Sequence, residues 1–202
     1  MKSFYEVASD FIKSFEGFTP KAMWDVNAWR IGHGSDTLTF PDGTYRKVLQ
    51  TDTTTREMAG KDLERRIKKD FEPRVRKQIG EPYYSNLPPS ARISLISLAY
   101  NYGSIKKPRI IEVARTGDAN ALGDAIIEET KNDNAGKSYY QALRRRREKE
   151  GNFAKTIIQV AGETVQSGIK YAKQNPMTTI LLTTVVVVAG YILYKYTIKN
   201  KK

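Results

Sequence analysis

The chain reads as an α+β fold, mostly helical with a small antiparallel β-sheet, followed by a C-terminal transmembrane helix. Three observations carry that reading. Apolar residues recur at helical spacing before residue 16 and after residue 53, while the stretch 28–49 shortens toward strand-like runs around a Pro-Asp-Gly turn. Each helical run is punctuated by Gly or Pro where a helix should stop or start. Met177 to Tyr194 is eighteen residues long and carries no charge.

Phe4, Val7, Ala8, Phe11, Ile12 and Phe15 fall on one face of a helix, predicted from Ser3 as N-cap to about Phe15 and stopped by Gly17 and Pro20. The segment lacks an uninterrupted apolar run, which Asp10 and Lys13 break further, so it does not read as an export signal. Trp29 to Ile31 and Leu38 to Phe40 look like strands. Pro41-Asp-Gly-Thr is a turn in which Pro sets φ and Gly accepts the left-handed position, with Tyr45 to Leu49 as the returning strand. A hairpin or three-stranded sheet over residues 28–49 is expected.

Leu63, Ile67, Phe71 and Val75 stand four apart, and Pro73 should break or restart their helix. Pro88 and Pro89 introduce a largely apolar helix, Ala91 to Tyr102, that is long enough to be the buried centre and is ended by Gly103. Further helices are expected over Pro108 to Arg115, Ala119 to Glu129 and Ser138 to Glu150. The first domain therefore spans residues 1–152. A stripe of Phe153, Ile157, Ala161, Val165 and Ile169 marks residues 153–175 as an amphipathic helical linker. The span itself is assigned to 176–196 and a basic tail to 197–202. Its uncharged core would be about 27 Å long, against a hydrocarbon thickness of about 30 Å. Tyr191, Tyr194 and Tyr196 supply an aromatic belt, with Lys195, Lys199, Lys201 and Lys202 beyond. Its β-branched run could also be a buried strand; length, flanking lysines and terminal position favour the membrane.

Composition narrows the function classes. The chain has no cysteine and one histidine, which excludes a disulfide scaffold, a thiolate metal site and a multi-histidine metal centre. A net charge of +12 would ordinarily point to nucleic acid or an anionic surface. Twelve of the 34 basic residues but three of the 22 acidic ones lie from Arg144 onward, leaving residues 1–143 at only +3. The basicity thus flanks the expected span, and no nucleic-acid partner is expected. No metal or cofactor is expected either.

The chemistry-bearing stretch is Ser14 to Thr37. Glu16 stands where the first helix stops, Asp25 follows a Pro-marked bend, and both lie among Phe15, Phe18, Trp24 and Trp29. Two carboxyls so placed fit general acid chemistry on a sugar chain. An apolar surround around Glu16 would favour its neutral, proton-donating form. Asp25 has three open readings: base for a water, stabiliser of an oxocarbenium ion, or ionic partner of Arg30. Asp36 is a lesser alternative, better read as a turn residue. His33 between two glycines, together with Ser35 and Thr37, is a candidate for substrate contact.

Three segments carry a family resemblance. Phe15-Glu-Gly-Phe with Asp25 and Ile31-Gly-His-Gly, then Leu98-Ala-Tyr-Asn-Tyr-Gly103, then Ala142-Leu-Arg-Arg-Arg-Arg-Glu-Lys-Glu150 resemble, in order and spacing, motifs of the phage-type lysozymes, the bacteriophage endolysin and muramidase group. The resemblance covers about residues 1–152. It implies a lysozyme-like domain that cleaves the MurNAc-GlcNAc β-1,4 bond of peptidoglycan, with Glu16 as catalytic acid and Asp25 across the cleft. It also places Asn101 and Tyr102 near the cleft floor, and Arg30 and His33 where the family has other residues. The family's water-positioning Thr is replaced by Arg30, which leaves room for a lytic transglycosylase that needs a single acid. Peptidoglycan strands, a lipid bilayer reached through the C-terminal helix, and virion membrane or capsid proteins are the partners expected. A membrane-anchored location, in a virion or host inner membrane, follows. The rivals are a glycan-binding virion membrane protein without turnover, and a C-terminal module that disrupts membranes or holds nucleic acid.

Overall fold

The computed structural model describes residues 1–130, 139–158 and 160. All of these belong to the first of the chain's two compact units, Met1–Gly162. The unit is α+β and mostly helical with a little antiparallel sheet. Met177 to Tyr194, read above as a membrane span, lies outside the described residues, as does most of the proposed linker. Among the described residues no helix is long and apolar enough to cross a membrane.

Helix α1, Phe4–Lys13, starts at Ser3, whose hydroxyl accepts from the Glu6 N–H while the Glu6 carboxylate accepts from the Ser3 N–H. This reciprocal pairing satisfies two of the donors that a helix start leaves orphaned. Its inward face buries Phe4, Ala8 and Ile12.

The sheet region departs from expectation. Strand β1, Thr19–Asp25, pairs antiparallel with β2, Ala28–Gly32, and a separate pair joins β3, Thr37–Thr39, to β4, Tyr45–Lys47. Among the described residues there are thus two two-stranded sheets: β3 and β4 form the hairpin expected around Pro41-Asp-Gly-Thr, while β2 pairs with the unexpected β1 and not in a three-stranded sheet over residues 28–49. Strand β1 carries no alternating pattern because most of its side chains are exposed, and it holds Pro20, which an edge position tolerates. Ile31, Leu38 and Val48 form a small core between the two pairs, joined by Trp29 and Phe40.

Helix α2, Arg56–Arg66, runs through a π turn, Ile67–Phe71, into α3, Glu72–Ile79. Leu63, Ile67, Phe71 and Val75 are all buried. An ideal helix has 3.6 residues per turn, so each four-residue step overshoots by about 40°. The wider turn takes up that overshoot and keeps the four side chains facing inward. Pro73 sits in the first turn of α3, directly after the π turn. The helical backbone runs on through it, so Pro73 neither breaks nor restarts the helix.

The short α4, Tyr83–Asn86, leads to α5, Pro89–Tyr102, whose middle is buried from Ile93 to Ala99. Gly103 closes α5 in the left-handed conformation at φ 80°. Against α5 pack α7, Ala119–Glu128, and α8, Tyr140–Ala154, while α6, Pro108–Thr116, packs on α7, α3 and α4. Helix α8 extends past the predicted domain end, so Phe153 is part of it and stacks on Phe11 of α1 at 4.1 Å.

Two devices seat α8. Ser90, Ser94 and Ser97 repeat along one face of α5 and donate to the Thr156 carbonyl, the Glu150 carbonyl and the Glu150 carboxylate respectively. On its other side Gly151 meets Gly123 of α7 so closely that a Cβ on Gly151 would lie 2.4 Å from the Gly123 carbonyl oxygen. Only glycine permits that approach. These contacts matter because α8 delivers the arginines described next.

Candidate active site

Helix α1 ends in a tightened turn. The N–H groups of Phe15 and Glu16 both reach back to the Ile12 carbonyl, at 3.0 and 3.3 Å. Glu16 is therefore fixed to the helix tip, and its side chain is half-buried. Beside it, a Cβ built on Gly17 would meet nothing within 4 Å, so the surface next to the acid is open.

The neighbour of Glu16 is not the apolar shell expected from the sequence. Arg146 of α8 donates from Nη1 to Glu16 Oε1 at 2.8 Å and from Nε to Glu150 Oε1 at 3.1 Å. The Phe15 ring lies under the same guanidinium, 4.9 Å from its centre. Phe18 is occupied by Arg56 at 4.5 Å and by His33, and Trp24 faces Trp29 across the β1–β2 hairpin. Arg146 is nine-tenths buried, so this pair is screened far less than a surface one.

Behind Arg146 the charges continue inward. Glu150 is fully buried and also pairs with the buried Arg147, at 2.6 Å. Burial pushes the Glu150 carboxyl up, against the pull of the two arginines, and pushes Arg147 down. Arg147 then donates to the Asn101 side chain at 2.7 Å and lies over the Tyr102 ring at 4.9 Å. The Tyr102 hydroxyl donates to Glu129 at 3.3 Å. Burial raises its pKa to about 12, so it stays a donor. Asn101 and Tyr102 thus connect to Glu16 through Arg147, Glu150 and Arg146.

His33, from the sheet side, bonds the residue that follows Glu16. Its Nδ1 lies 3.0 Å from the Gly17 carbonyl. A carbonyl only accepts, so Nδ1 carries the proton. The His33 carbonyl in turn accepts from the Tyr100 hydroxyl of α5. His33 is 7% exposed. Burial holds its pKa below the usual 6.5, with the Gly17 bond acting the other way.

Asp25 and Arg30 stand together. Asp25 ends β1 and accepts from Arg30 Nε at 2.7 Å, while Arg30 also approaches the Gly34 carbonyl at 3.4 Å. Asp36 is taken by Lys47 and Arg66. Ser35 lies elsewhere. Its hydroxyl donates to Asp62 at 2.5 Å, beside Thr37 at 3.1 Å and Thr39 at 2.6 Å on the same carboxylate, with Arg65 at 3.2 Å. Asp62 is 1% exposed and anchors β3 to α2.

Sequence reasoning did not single out Arg146 or Asp62. Arg146 is one of four successive arginines, but the spacing to Glu150 is the i, i+4 pairing of a helix and was a usable signal. Asp62 had none: amid the charged residues of α2 it resembles a solvated face. Among the described residues no cluster of histidine, cysteine or acidic side chains is placed to hold a metal.

A mostly helical domain with a small sheet region, an acid at a helix tip and an arginine from the closing helix bound to it define a lysozyme-like protein. The phage lysozyme family model matches residues 13–150, and the chain belongs to that family. No curated relative matches it. Membership supports a peptidoglycan-cleaving glycosidase.

Proposed function

We propose that the protein cleaves the MurNAc-GlcNAc β-1,4 bond of peptidoglycan with Glu16 as general acid, and that it does so as a lytic transglycosylase. The observation that carries this reading is the pairing of Asp25 with Arg30. An inverting hydrolase needs a second carboxylate free to hold and deprotonate water, and a retaining one needs it free as nucleophile. Here that carboxylate is engaged by a guanidinium standing where the family has a Thr. A transglycosylase avoids the requirement.

In the proposed step Glu16 gives its proton to the bridging oxygen as the C1–O bond breaks. Arg146 then faces the carboxylate left behind and holds it in place. The same carboxylate accepts the proton of the muramyl 6-hydroxyl as that oxygen attacks C1. The products are a 1,6-anhydro end and a new GlcNAc 4-hydroxyl; no water is consumed and Glu16 regains its proton. General acid help of this kind contributes about 10²–10⁴-fold. In this reading Arg30 and His33 border the substrate path, Asn101 and Tyr102 position the arginines, and Ser35 keeps β3 in place through Asp62.

We read Met177 to Tyr194 as the tether that holds this domain to a virion or host inner membrane, for wall penetration or lysis. Mass spectrometry of muropeptides tests the chemistry. Anhydro-muramic ends support the transglycosylase, and reducing muramic ends support a hydrolase. Resistance of the full chain to alkaline carbonate extraction tests the tether; release into the soluble fraction contradicts it.

A further inference from the structure

The end of the β1–β2 hairpin is apolar where solvent should make it polar. Met23, Trp24 and Val26 are 60%, 58% and 88% exposed, and they fall within four consecutive residues. Apolar side chains scattered singly over a surface mean little, but a contiguous group at an exposed turn marks an interaction surface. None of the chemistry assigned to Glu16 uses these three.

The turn keeps an apolar residue against its own backbone preference. Val26 and Asn27 join the strands, since Asp25 pairs with Ala28. Val26 takes φ 52°, a left-handed conformation that is costly for a β-branched residue and that asparagine or glycine adopts readily. An exposed valine recovers nothing through burial, so folding alone favours a polar residue at this position.

The register arranges the apolar groups around the tip. Side chains alternate between the faces of a strand, and Trp24 stands opposite Trp29 while Met23 stands opposite Arg30. The two indoles meet edge-on at 5.5 Å on one face. Met23 lies on the other face, and Val26 lies at the turn. A folded partner docked on one face would cover Trp24 or Met23 and leave the other in water. A fluid apolar layer entered by the tip covers all three. From Met23 to Arg30 the charged residues are Asp25 and Arg30, which bond each other at 2.7 Å. The tip therefore carries no net charge into such a layer, and its polar pair confines it to the headgroup boundary. Tryptophan is enriched at that depth, because its ring is apolar and its N–H finds a polar partner.

The rest of the chain brings a bilayer within reach. Met177 to Tyr194 is uncharged and is read above as a membrane span. The sixteen residues 161–176 that precede it extend at most about 55 Å. A domain of this size has a radius of gyration of about 15 Å, so the connection is long enough for any edge to face the membrane. A contact made by a tethered domain is an intramolecular event, and a few side chains then suffice.

We propose that the β1–β2 tip is a membrane contact of the domain itself, seating Met23, Trp24 and Val26 in the headgroup and acyl boundary of a lipid bilayer. The proposal rests on the reading of the chain as membrane-tethered and adds a second attachment to it, made by the folded domain.

The chain has two tryptophans, both in this hairpin, so Trp29→Phe leaves Trp24 as the single reporter. The full chain with this substitution is reconstituted in vesicles of phosphatidylcholine and phosphatidylglycerol whose acyl chains carry bromine near the glycerol end. Interfacial apolar groups seat about 5–10 Å deep, so Trp24 emission should shift to the blue and fall about twofold relative to unbrominated vesicles. Val26→Asn in the same background should raise the melting temperature, because asparagine accepts the turn's backbone, and yet remove most of the quenching. A variant that folds at least as well and loses the lipid separates the tip's contact from its stability.

Trp24 emission unaffected by brominated lipid overturns the proposal. So does quenching that Val26→Asn leaves unchanged, which the tether's proximity alone would produce. Emission that ignores the lipid but shifts with protein concentration would assign the tip to a second copy, and also overturns it. Carbonate extraction judges the tether apart. A chain that resists extraction while Trp24 stays unquenched keeps the tether and loses the tip contact. A chain that carbonate releases, but whose Trp24 is quenched by added brominated vesicles, loses the tether and keeps the tip contact.

Discussion

Glu16 and Arg146 are 130 positions apart in the chain and meet at 2.8 Å. The first lies at the end of the opening helix and the second on the closing one, so the candidate site exists only when both ends of the domain are in place. Arg146 also holds Glu150, which makes one guanidinium the bridge between Glu16 and the buried charges behind it.

Replacing Arg146 should therefore damage both stability and activity. Arg146→Ala leaves Glu16 without its cation and removes one of two arginines from buried Glu150. Losing one partner of a buried pair costs about 3 kcal/mol. Urea unfolding should show a loss of that order, with wall-clearing activity abolished. Arg146→Lys keeps the charge but offers a single ammonium where the guanidinium serves two carboxylates. It should fold, yet clear walls at least tenfold more slowly; wild-type rates in this variant would mean that the two-armed contact is dispensable.

The glycines give a contrasting pair. Gly151→Ala places a methyl 2.4 Å from the Gly123 carbonyl oxygen, with Ile127 also too near. Helices α7 and α8 must then separate, at about 1–3 kcal/mol for overpacking. Gly17→Ala meets no atom within 4 Å and so should leave the melting temperature unchanged. If glycan passes over Gly17, the same methyl should raise KM. Unaltered kinetics in Gly17→Ala would place the substrate path elsewhere.

His33 predicts a pH dependence. Its pKa is lowered in the fold, so below the unfolded value of 6.5 the unfolded chain takes up a proton more readily than the folded one. The stability associated with neutral His33 is complete above pH 6.5 and is lost as pH falls through the folded pKa. Urea midpoints measured from about pH 8 to about pH 5 should decline on the acid side, and His33→Gln should flatten that decline. A slope that persists in His33→Gln would assign it to other groups.

Much of the helical framework was readable because it depends on local rules. Ser3 caps α1, Gly103 ends α5, and the spacing from Leu63 to Val75 marks a buried face, although the π turn that reconciles four-residue spacing with helix geometry was not foreseen. The β3–β4 hairpin was announced by Pro41-Asp-Gly-Thr, but strand β1 was missed because exposed edge residues need no alternation, and β2 was left without its true partner. Glu16 stood out through its position between Phe15 and Gly17. Its environment did not: apolar neighbours in sequence turned outward to Arg56, to each other or onto Arg146, and the decisive partner came from the far end of the chain. Asp62 was hidden for the same reason, since three of its partners sit on a different element.

Asp62 offers a test of that hidden framework. Asp62→Asn removes the charge opposite partly buried Arg65 and one acceptor shared by Ser35, Thr37 and Thr39. A loss of about 3 kcal/mol is expected in chemical unfolding. Wall-clearing activity should weaken only in proportion to unfolding, because this carboxylate supports the sheet from behind. A variant as stable as wild type would contradict its assignment as the anchor of β3.

Arg30→Thr tests the reaction type. Freeing Asp25 and restoring a hydroxyl should allow water to compete with the 6-hydroxyl, adding reducing muramic ends to the products. An unchanged, purely anhydro product profile would show that the Arg30–Asp25 pair does not decide the outcome.

The central claim is that Glu16 is the proton donor in peptidoglycan cleavage. The most direct measurement is muropeptide mass spectrometry on purified cell walls treated with wild type and with Glu16→Gln, both checked for equal folding by circular dichroism. The account predicts cleaved glycan with anhydro-muramic ends from wild type and a loss of at least about 10²-fold in rate for the variant. Equal release of muropeptides by the two proteins would contradict it.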